Sequence, residues 1–240
     1  MQMLRLFALK NTVLDDAEIF ESKLALIDGV RRESVNSLAG VRAKSRSLSA
    51  GIILPLALSR CGLGGEVKTE RGELGKPRLV APAGVFFNLS HSGEYTLVAL
   101  SDTEVGCDIQ QIKPVNLRIA ERYFHPEESR RISGCGSDGE KRELFFRYWC
   151  AKESFIKATG EGLTRPLGSF YVRLPEGGQT ARGETDGRSG DFGFGEVFEA
   201  DGAPTPWRVA ESGRIEGYSV AVCTQHPLPV TLEWLSVQEI

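Results

Sequence analysis

The chain has 240 residues, of which 41% are hydrophobic and 25% charged, the balance of a soluble globular protein that can bury a core as one domain or two compact halves. Its formal net charge of −3 excludes a protein whose main role is to wrap nucleic acid, but leaves room for a local basic pocket. No apolar run reaches the ~18 residues of a membrane span, and the N-terminus is too charged for a signal peptide. We therefore expect a monomeric, cytoplasmic protein with reduced cysteines and with neither a membrane nor a nucleic acid as partner.

In chain order, the first element is a strand at "LRLFAL", residues 4–9. A helix follows at "DDAEIFESKLALI", with Asp15 or Asp16 available as its N-cap. A longer helix is predicted at "VRAKSRSLSAGIILPLALSRC", where apolar residues four positions apart share one face. We expect Pro55 to kink or interrupt this helix, because proline lacks an N–H and its ring crowds the preceding turn.

Two strands are predicted in the middle of the chain. The turn "SHSGE" leads into a strand at Tyr95–Ser101, and "EVGCDIQQI" forms a second, short strand. Strand alternation places Val105, Cys107 and Ile109 on one side of the second strand. The opposite side then carries Gly106, Asp108 and Gln110, of which the glycine leaves space beside the carboxylate.

The remaining chain starts with two helices and ends with two strands. "LRIAERYFHPEESRRI" has helical character that breaks around His125 and Pro126, and "KRELFFRYWCAKESFIKA" is the strongest helix of the chain. Residues 175–206 are rich in Gly, Thr, Asp and Pro, which favours mobile turns or an exposed hairpin. "YSVAVCTQ" and "VTLEWLSV" are predicted to be closing strands. The apolar face of the strongest helix comprises Leu144, Phe145, Tyr148, Trp149, the stem of Lys152, Phe155 and Ile156.

A coarse repeat indicates two similar halves. A long helix followed by a strand occurs once in "RSLSAGIILPLAL…YTLVALSD" and again in "RYWCAKESFIKA…YSVAVCTQ". We predict a division into residues 1–103 and 104–240, with the halves joined near residues 102–104.

Four polar side chains have two interpretations each. Asp108 and Gln110 form either a solvated strand face or, with another carboxylate, the oxygen set that suits Mg²⁺. Glu153 is the candidate for that carboxylate, and Lys157 lies one helical turn further on. The alternative for Glu153 and Lys157 is an i,i+4 surface salt bridge worth only ~0.3–0.5 kcal/mol. Their spacing favours a salt bridge and a shared site equally.

A histidine and a basic cluster are candidates for binding phosphate. His91 in "FNLSHSG" belongs either to a turn whose polar side chains cap backbone groups or to a phosphate site. A Ser–His hydrolase carries little weight, because the chain has no G-x-S-x-G elbow. The basic cluster forms either a solvated helix face or a phosphate site, since arginine matches phosphate oxygens. The cluster comprises Arg31, Arg32, Arg42, Lys44 and Arg46.

Four segments, in this order, resemble the 4′-phosphopantetheinyl transferases of the surfactin-synthetase-activating type. They are "GKP" (75–77), "FNLSHSG" (87–93), "VGCDIQ" (105–110) and "WCAKESFIKATGEGL" (149–163). The resemblance implies an α+β fold of two pseudo-symmetric halves, each a small antiparallel sheet packed on a long helix. It also implies that coenzyme A (CoA) binds between the halves with Mg²⁺, or alternatively Mn²⁺. The hydroxyl of a carrier-protein serine attacks the β-phosphate of CoA, takes up phosphopantetheine and releases 3′,5′-ADP.

The resemblance also assigns roles to individual residues. Asp108, Glu153 and Gln110 match metal ligands, although Gln110 stands where many members have an acid. Glu153 is also the candidate general base, and Lys157 is expected to stabilise or protonate the leaving phosphate. The expected CoA contacts are Arg46 and His91 at the 3′-phosphate, Gly75, Lys76 and Pro77 at the adenine side, and Ser90, Lys157 and Arg31.

The expected partner is an apo acyl or peptidyl carrier protein. The positive charges around Arg130, Arg131 and Lys141 are candidates for docking an acidic carrier, with Tyr123 and Phe124 as apolar contacts. On this hypothesis Phe124→Asp raises KM for the carrier and leaves CoA binding intact. Two other functions stay open at this point: a non-catalytic module that binds CoA or a carrier, and a metal-dependent phosphohydrolase that acts on CoA-like pyrophosphates.

Overall fold

Two long helices and two sheets form the framework of the described part of the protein. The computed structural model describes residues 3–72, 75–174 and 193–239. The helices in these ranges are α1 (Ala17–Leu24), α2 (Gly29–Asn36), α3 (Val41–Arg60), α4 (Arg118–Tyr123), α5 (Pro126–Ser133) and α6 (Asp138–Thr159). Short 3₁₀ turns occupy Asn11–Asp15, Gly162–Thr164, Leu167–Ser169 and Val237–Glu239. The strands are β1 (Leu4–Lys10), β2 (Lys68–Arg71), β3 (Pro77–Ala81), β4 (Phe86–Ser92), β5 (Tyr95–Ser101), β6 (Val105–Gln111), β7 (Phe170–Arg173), β8 (Gly193–Glu199), β9 (Pro204–Ser212), β10 (Tyr218–Thr224) and β11 (Leu232–Trp234).

The strands form two main sheets and a small hairpin. The first sheet has the order β11-β1-β5-β4 and the second the order β6-β10-β9-β8-β7, while β2 and β3 pair with each other. All these pairs are antiparallel except β1 and β11, which run parallel. One long helix packs on each main sheet, α3 on the first and α6 on the second. The predicted α+β class with two sheet-and-helix halves is confirmed.

Strand alternation divides the core into three hydrophobic clusters. On β1, Phe7 and Leu9 point into a cluster shared with α3, whereas Leu6 points into a cluster built by both sheets. On β10, Ala221 points toward α6 and Val222 into the cluster built by both sheets. The order of layers is therefore helix, sheet, sheet, helix.

The edge strands β4 and β6 meet through side chains. Polar side chains at every second position of β4 accept hydrogen bonds from backbone amides of β6. Each bond joins residues that are the same number of positions apart along the chain, so the two strands run parallel. The three bonds run from Cys107 N to Asn88 Oδ1 (2.9 Å), from Ile109 N to Ser90 Oγ (3.3 Å) and from Gln111 N to Ser92 Oγ (3.0 Å). We call this contact the seam. It satisfies edge amides that would otherwise lack a partner.

Helix ends follow the predicted signals. Asp16 caps α1 by accepting from the amides of Glu18 and Ile19. The predicted break at His125 and Pro126 separates α4 from α5, with His125 as the N-cap. Helix α6 starts with a capping box formed by Ser137 and Glu140, and it ends at Gly160, whose φ of 76° is readily adopted by glycine. These local signals fix the starts of α1 and α5 and both ends of α6, of which the signals at α6 were not predicted.

The structure bears on two further predictions. Pro55 does not interrupt α3, which runs unbroken through it. Its ring is on the exposed side of the helix, while the neighbouring Leu54 and Leu56 stay buried and hold the helix on the sheet. Within residues 175–206, the range 175–192 lies outside the described residues. The range 193–206 contains β8, a short turn and the start of β9, which pair as an antiparallel hairpin, so the hairpin is the alternative that the structure supports there.

The last strand crosses between the two parts of the chain. Leu232, near the C-terminus, pairs with Leu6 of β1, and Glu233 accepts two hydrogen bonds from the Arg5 guanidinium at 2.8 and 2.6 Å. The division at residues 103 and 104 stays a prediction. It does not describe β11, which belongs to the first sheet.

Among the residues that the structure describes, no helix is both long and apolar enough to cross a membrane.

Candidate active site

The candidate site begins where α6 crosses β6. Gly106 faces the helix, and a Cβ atom added there would lie 2.0 Å from the carbonyl oxygen of Ser154 and 2.4 Å from the amide nitrogen of Ala158. The space beside Asp108 that the sequence indicates is thus filled by the helix backbone. This close approach brings side chains of α6 directly against Asp108.

Asp108 and Lys157 form a buried ion pair. Lys157 Nζ lies 2.6 Å from Asp108 Oδ1, with the carboxylate side chain 2% exposed and the lysine 27%. The same amine donates to Ser90 Oγ at 3.0 Å and to the carbonyl oxygen of Cys107 at 3.2 Å, so all three of its N–H groups have acceptors. Burial alone would lower the pKa of Lys157, but the charge of Asp108 raises it above its ordinary value. A phosphate oxygen that binds this amine must replace one of its acceptors.

Ser90 lies at the centre of this group. Its hydroxyl donates to Asp108 Oδ1 at 2.7 Å and accepts from Lys157 Nζ at 3.0 Å and from Ile109 N at 3.3 Å. The residue is buried, with 7% of its surface exposed. Its predicted role as a CoA contact stays a prediction, although the hydroxyl already makes three bonds within the protein.

Glu153 faces a second carboxylate. Burial and the negative charge of Asp108 raise the pKa of Glu153, while the charge of Lys157 opposes the rise. No salt bridge forms between Glu153 and Lys157, both of which the structure describes, because the amine of Lys157 pairs with Asp108 instead. The interpretation as an i,i+4 surface pair is therefore wrong.

Gln110 completes a set of oxygens that fits a divalent cation. Its Nε2 donates to Asp108 Oδ2 at 3.2 Å, which leaves its own Oε1 available. Asp108 Oδ2, the Glu153 carboxylate and Gln110 Oε1 are hard oxygen donors, and the mutual repulsion of the two carboxylates is what a cation would relieve. No cluster of three or more His, Cys, Asp or Glu side chains is found among residues 3–72, 75–174 and 193–239. Among the described side chains, two carboxylates and an amide are thus the candidate ligands.

His91 and Arg46 come together at one end of the seam. His91 lies on the exposed surface of β4. The protein still covers part of its ring, and this partial burial, followed by the positive charge of Arg46, lowers the pKa of His91. Arg46 lines a cleft of about 470 Å³ together with Arg42, Gly93 and Gln111. An arginine that lines an open cleft suits an anion, and the neighbouring imidazole of His91 can take up a proton when a phosphate binds, as the predicted 3′-phosphate contact requires.

Arg31, Gly75 and Pro77 meet in a second, larger cleft. They line a space of about 780 Å³ between α2, α3 and the β2–β3 hairpin. Arg31 Nη2 donates to the carbonyl oxygen of Ser47 at 2.9 Å, and its Nε is buried without a hydrogen-bond partner among the described residues. The guanidinium therefore keeps donor capacity.

The amine of Lys76 already makes hydrogen bonds to other groups of the protein. Its amine donates to Glu104 Oε2 at 2.6 Å and to the carbonyl oxygens of Val105 and Ala158 at 3.2 and 3.1 Å. These bonds tie the start of β3 to β6 and to the end of α6. A phosphate contact from this amine requires the loss of one of them, whereas its neighbours Gly75 and Pro77 already face the larger cleft.

The proposed apolar docking pair divides into one exposed and one buried residue. Tyr123 is 49% exposed, but Phe124 is 4% exposed and stacks on Phe145 with ring centroids 5.4 Å apart. Phe124 is therefore a core residue, and the expectation that Phe124→Asp changes only carrier docking is wrong. Arg130 and Arg131 are exposed, as a docking role requires.

A buried ion pair beside the site was missed from the sequence. Lys152, of which only the stem was expected in the core, is entirely buried and lies 2.7 Å from Glu128 on α5. Glu128 also accepts from the amides of Val172 and His125 at 2.8 and 3.2 Å. The acid at the third position after His125 signals a capping box. No sequence signal pairs that acid with a lysine 24 residues away.

Two carboxylates and a lysine thus lie at the crossing of α6 and β6, near two clefts that are lined in part by arginines. Comparison with known proteins identifies the family. The family model described as the 4′-phosphopantetheinyl transferase superfamily matches residues 104–223. This range contains Asp108, Gln110, Glu153 and Lys157.

Individual relatives agree with the family match. The chain is 33% identical over 176 residues to the 4′-phosphopantetheinyl transferase Sfp of Bacillus subtilis strain 168, covering 73% of this chain and 71% of that protein. It is 36% identical over 155 residues to another 4′-phosphopantetheinyl transferase of Bacillus subtilis, covering 65% and 62% of the two chains. It is 38% identical over 154 residues to psf-1 of Bacillus pumilus, covering 64% and 58%. The chain belongs to the 4′-phosphopantetheinyl transferase superfamily.

Proposed function

We propose that this protein transfers 4′-phosphopantetheine from CoA to a serine of an apo acyl or peptidyl carrier protein, with Mg²⁺ or Mn²⁺ bound. The serine oxygen forms a bond to the β-phosphorus of CoA. The bond from that phosphorus to the bridging oxygen breaks, and 3′,5′-ADP leaves. A cytoplasmic location and a monomeric state are part of the same proposal. The sequence of the relatives supports the reaction class.

The observation that carries the proposal is the buried Asp108–Lys157 pair beside the unpaired Glu153 carboxylate. A purely structural ion pair needs no third charged group. Here a second acid is kept next to the first, with a raised pKa, at the crossing of α6 and β6. That arrangement provides a base, a cation site and a positive charge within one small volume.

Glu153 is the group that takes the proton from the attacking serine. Partial burial and the charge of Asp108 raise its pKa, so its carboxylate holds a proton more readily than an ordinary glutamate. Asp108, Glu153 and Gln110 are the residues that would hold the divalent cation. When bound, the cation neutralises charge on the pyrophosphate oxygens.

Lys157 supplies positive charge to the leaving phosphate. Its longest bond, 3.2 Å to the carbonyl oxygen of Cys107, is the one that a phosphate oxygen would most readily replace. In this proposal Arg46, which lines the 470 Å³ cleft, and His91 hold the 3′-phosphate, and Arg31, Gly75 and Pro77, which line the larger cleft, contact the nucleotide.

The test is the mass of the carrier. The protein, CoA, Mg²⁺ and an apo carrier are incubated together, and the carrier is weighed by mass spectrometry. We expect a gain of one phosphopantetheine, which Asp108→Ala and Glu153→Ala abolish. Glu143→Ala removes an exposed carboxylate from the same helix and is the matched control, with the gain unchanged.

The other two functions give different results in the same assay. A non-catalytic binding module binds CoA and never changes the carrier mass. A phosphohydrolase releases 3′,5′-ADP from CoA when no carrier is present. An unchanged mass across several acyl and peptidyl carriers would overturn the proposed transfer.

A further inference from the structure

Ser219 of β10 carries a buried hydroxyl that makes no hydrogen bond. The residue is 1% exposed, and its Oγ has no hydrogen-bond partner among the described residues. Burying a hydroxyl without a partner costs stability, so a side chain of this kind needs an explanation outside the packing of the core.

The strand register places this hydroxyl on the same face of the sheet as the candidate cation ligands. Ser219 pairs directly with Gln110 of β6, and Ala221 of the same strand pairs with Asp108. Directly opposite residues of an antiparallel pair point to one face, with Cβ atoms about 4.5–5.5 Å apart. Helix α6 covers this face, because Ala221 packs in its cluster and Cys150 Sγ donates to the carbonyl oxygen of Ser219 at 3.3 Å. The Ser219 hydroxyl is therefore within reach of the Gln110 side chain.

The amide of Gln110 needs a second acceptor when a cation binds beside it. Its Nε2 donates to Asp108 Oδ2 at 3.2 Å. A cation at Asp108 Oδ2 competes with this N–H for the same oxygen, and it attracts Gln110 Oε1 and repels Nε2. An amide that turns its oxygen to the cation leaves its N–H groups to be satisfied elsewhere. Ser219 Oγ, with its lone pairs unused, is an acceptor on the neighbouring strand.

We propose that Ser219 is a positioning residue for the divalent cation, whose hydroxyl accepts from Gln110 Nε2 and so holds Gln110 Oε1 toward the cation. This inference rests on the proposed function and deepens the part of it that concerns Gln110. It gives the buried hydroxyl a partner in the working enzyme. It also predicts that loss of the hydroxyl weakens the binding of the cation and not the fold.

The experiment measures the affinity for Mn²⁺. Mn²⁺ is titrated into the complex of the protein with CoA, and the signal of free Mn²⁺ is followed by electron paramagnetic resonance. For Ser219→Ala we expect the Kd for Mn²⁺ to rise about tenfold, a usual cost of removing a group that orients a metal ligand. Ser49→Ala is the matched control, because it removes another buried hydroxyl without a described partner, in α3, and it should keep the Kd within about twofold. A Kd for Ser219→Ala equal to that of the control would overturn the proposal.

A double-variant cycle tests whether Ser219 acts through Gln110. Gln110→Ala should raise the Kd for Mn²⁺ at least as much as Ser219→Ala does. In the Gln110→Ala background, Ser219→Ala should change the Kd by less than about twofold, because no amide remains for the hydroxyl to hold. A further rise of about tenfold in the double variant would contradict the proposal, since Ser219 would then act independently of Gln110.

Stability separates a positioning role from a structural one. Without added metal, Ser219→Ala and Ser49→Ala should have a urea midpoint equal to or above that of the wild type, because each variant removes an unpaired buried hydroxyl. A midpoint of Ser219→Ala clearly below the wild-type value would assign the hydroxyl to the fold and remove the proposal.

The carrier assay gives an independent readout. The Mg²⁺ concentration for half of the maximal rate should rise about tenfold in Ser219→Ala, while kcat at saturating Mg²⁺ stays within about threefold of the wild type. A kcat that stays low at saturating Mg²⁺, with an unchanged half-maximal concentration, would exclude this role. Failure of the wild-type protein to modify any carrier would instead remove the proposed function, whereas the Mn²⁺ titrations decide the role of Ser219 without a carrier.

Discussion

Helix α6 carries two lysines that each pair with a carboxylate, and the two pairs differ in what surrounds them. Lys152 and Glu128 are 0% and 1% exposed, and a lysine hydrogen bond to the carbonyl oxygen of Phe170 at 2.8 Å helps to close the pair. Lys157 is 27% exposed, and its pair with Asp108 adjoins Glu153, which has no such partner. The first pair is closed by protein groups, and the second is open on one side.

The pKa values of the two lysines move in opposite directions. Burial lowers the pKa of Lys152 to about 8, despite its carboxylate partner. For Lys157 the charge of Asp108, helped by Cys107 and Glu153, outweighs burial and raises the pKa. An ion pair that the protein encloses on all sides serves the fold, whereas the surplus carboxylate beside the partly exposed pair supports the proposed cation site.

The largest expected effect is on stability, from breaking the closed pair. Lys152→Met leaves Glu128 buried without its cation, and we expect the free energy of unfolding to fall by about 3–5 kcal/mol. Urea denaturation measures this change. The double variant Lys152→Met/Glu128→Gln keeps an acceptor for the amide of Val172 and should recover part of the loss. A loss below about 1 kcal/mol in the single variant would contradict the structural role.

The matching change in the open pair should act on the reaction. For Lys157→Met we expect kcat for carrier modification to fall about 10²- to 10³-fold, the usual cost of removing one charge-stabilising donor. Its free energy of unfolding should fall by less than half as much as that of Lys152→Met, because Asp108 keeps the Ser90 and Gln110 donors. A variant that retains more than about a tenth of the wild-type kcat would remove Lys157 from the catalytic group.

A smaller effect is expected from separating α6 and β6 at the open pair. Gly106→Ala places a Cβ 2.0 Å from the carbonyl oxygen of Ser154, and such overpacking costs about 1–3 kcal/mol of stability. Transfer should fall as well, because the helix that carries Lys157 must move away from Asp108. Gly139→Ala, in the first turn of the same helix, meets nothing closer than 3.8 Å and is the control. Equal melting temperatures for the two variants would contradict the close approach.

The smallest expected effect is on how CoA affinity depends on pH through His91. The pKa of His91 is below its ordinary value, so the free protein holds it neutral near neutral pH, and a bound phosphate should favour its protonated form. The advantage of the wild type over His91→Gln in CoA affinity should therefore grow as pH falls from about 7.5 to about 5.5, by roughly two- to fivefold. Calorimetry at several pH values measures both Kd series. A ratio that stays constant with pH would exclude this contact.

Much of the secondary structure was predictable because its signals are local. The strand at Tyr95–Ser101, the cap at Asp16 and the break before Pro126 lie where the sequence places them. The interruption expected as one of two outcomes at Pro55 does not occur, because packing of Leu54 and Leu56 overrides the cost of one lost hydrogen bond. The parallel pairing of β11 with β1 joins residues more than two hundred positions apart and leaves no local pattern.

The site was predictable as a set of residues and less so as a set of contacts. Strand alternation put Asp108 and Gln110 on one face, and the motif resemblance added Glu153 and Lys157. The partner of Lys157 was not predictable. Within the helix, Glu153 at position i−4 is a possible partner for Lys157. In the fold, the buried Asp108 lies 2.6 Å from the Lys157 amine, and the attraction between opposite charges is stronger there because less water surrounds them.

The sequence by itself determined the helix and strand periods, the family and the candidate site residues, since these depend on residue type and spacing along the chain. The tertiary structure alone decided which charges meet. It buries Phe124 and Lys152, saturates Lys76 and Ser90 with protein partners, and leaves Glu153 facing Asp108. The physical reason is that the strength of a charge or hydrogen bond depends on burial and distance, which arise only when α6 packs against β6.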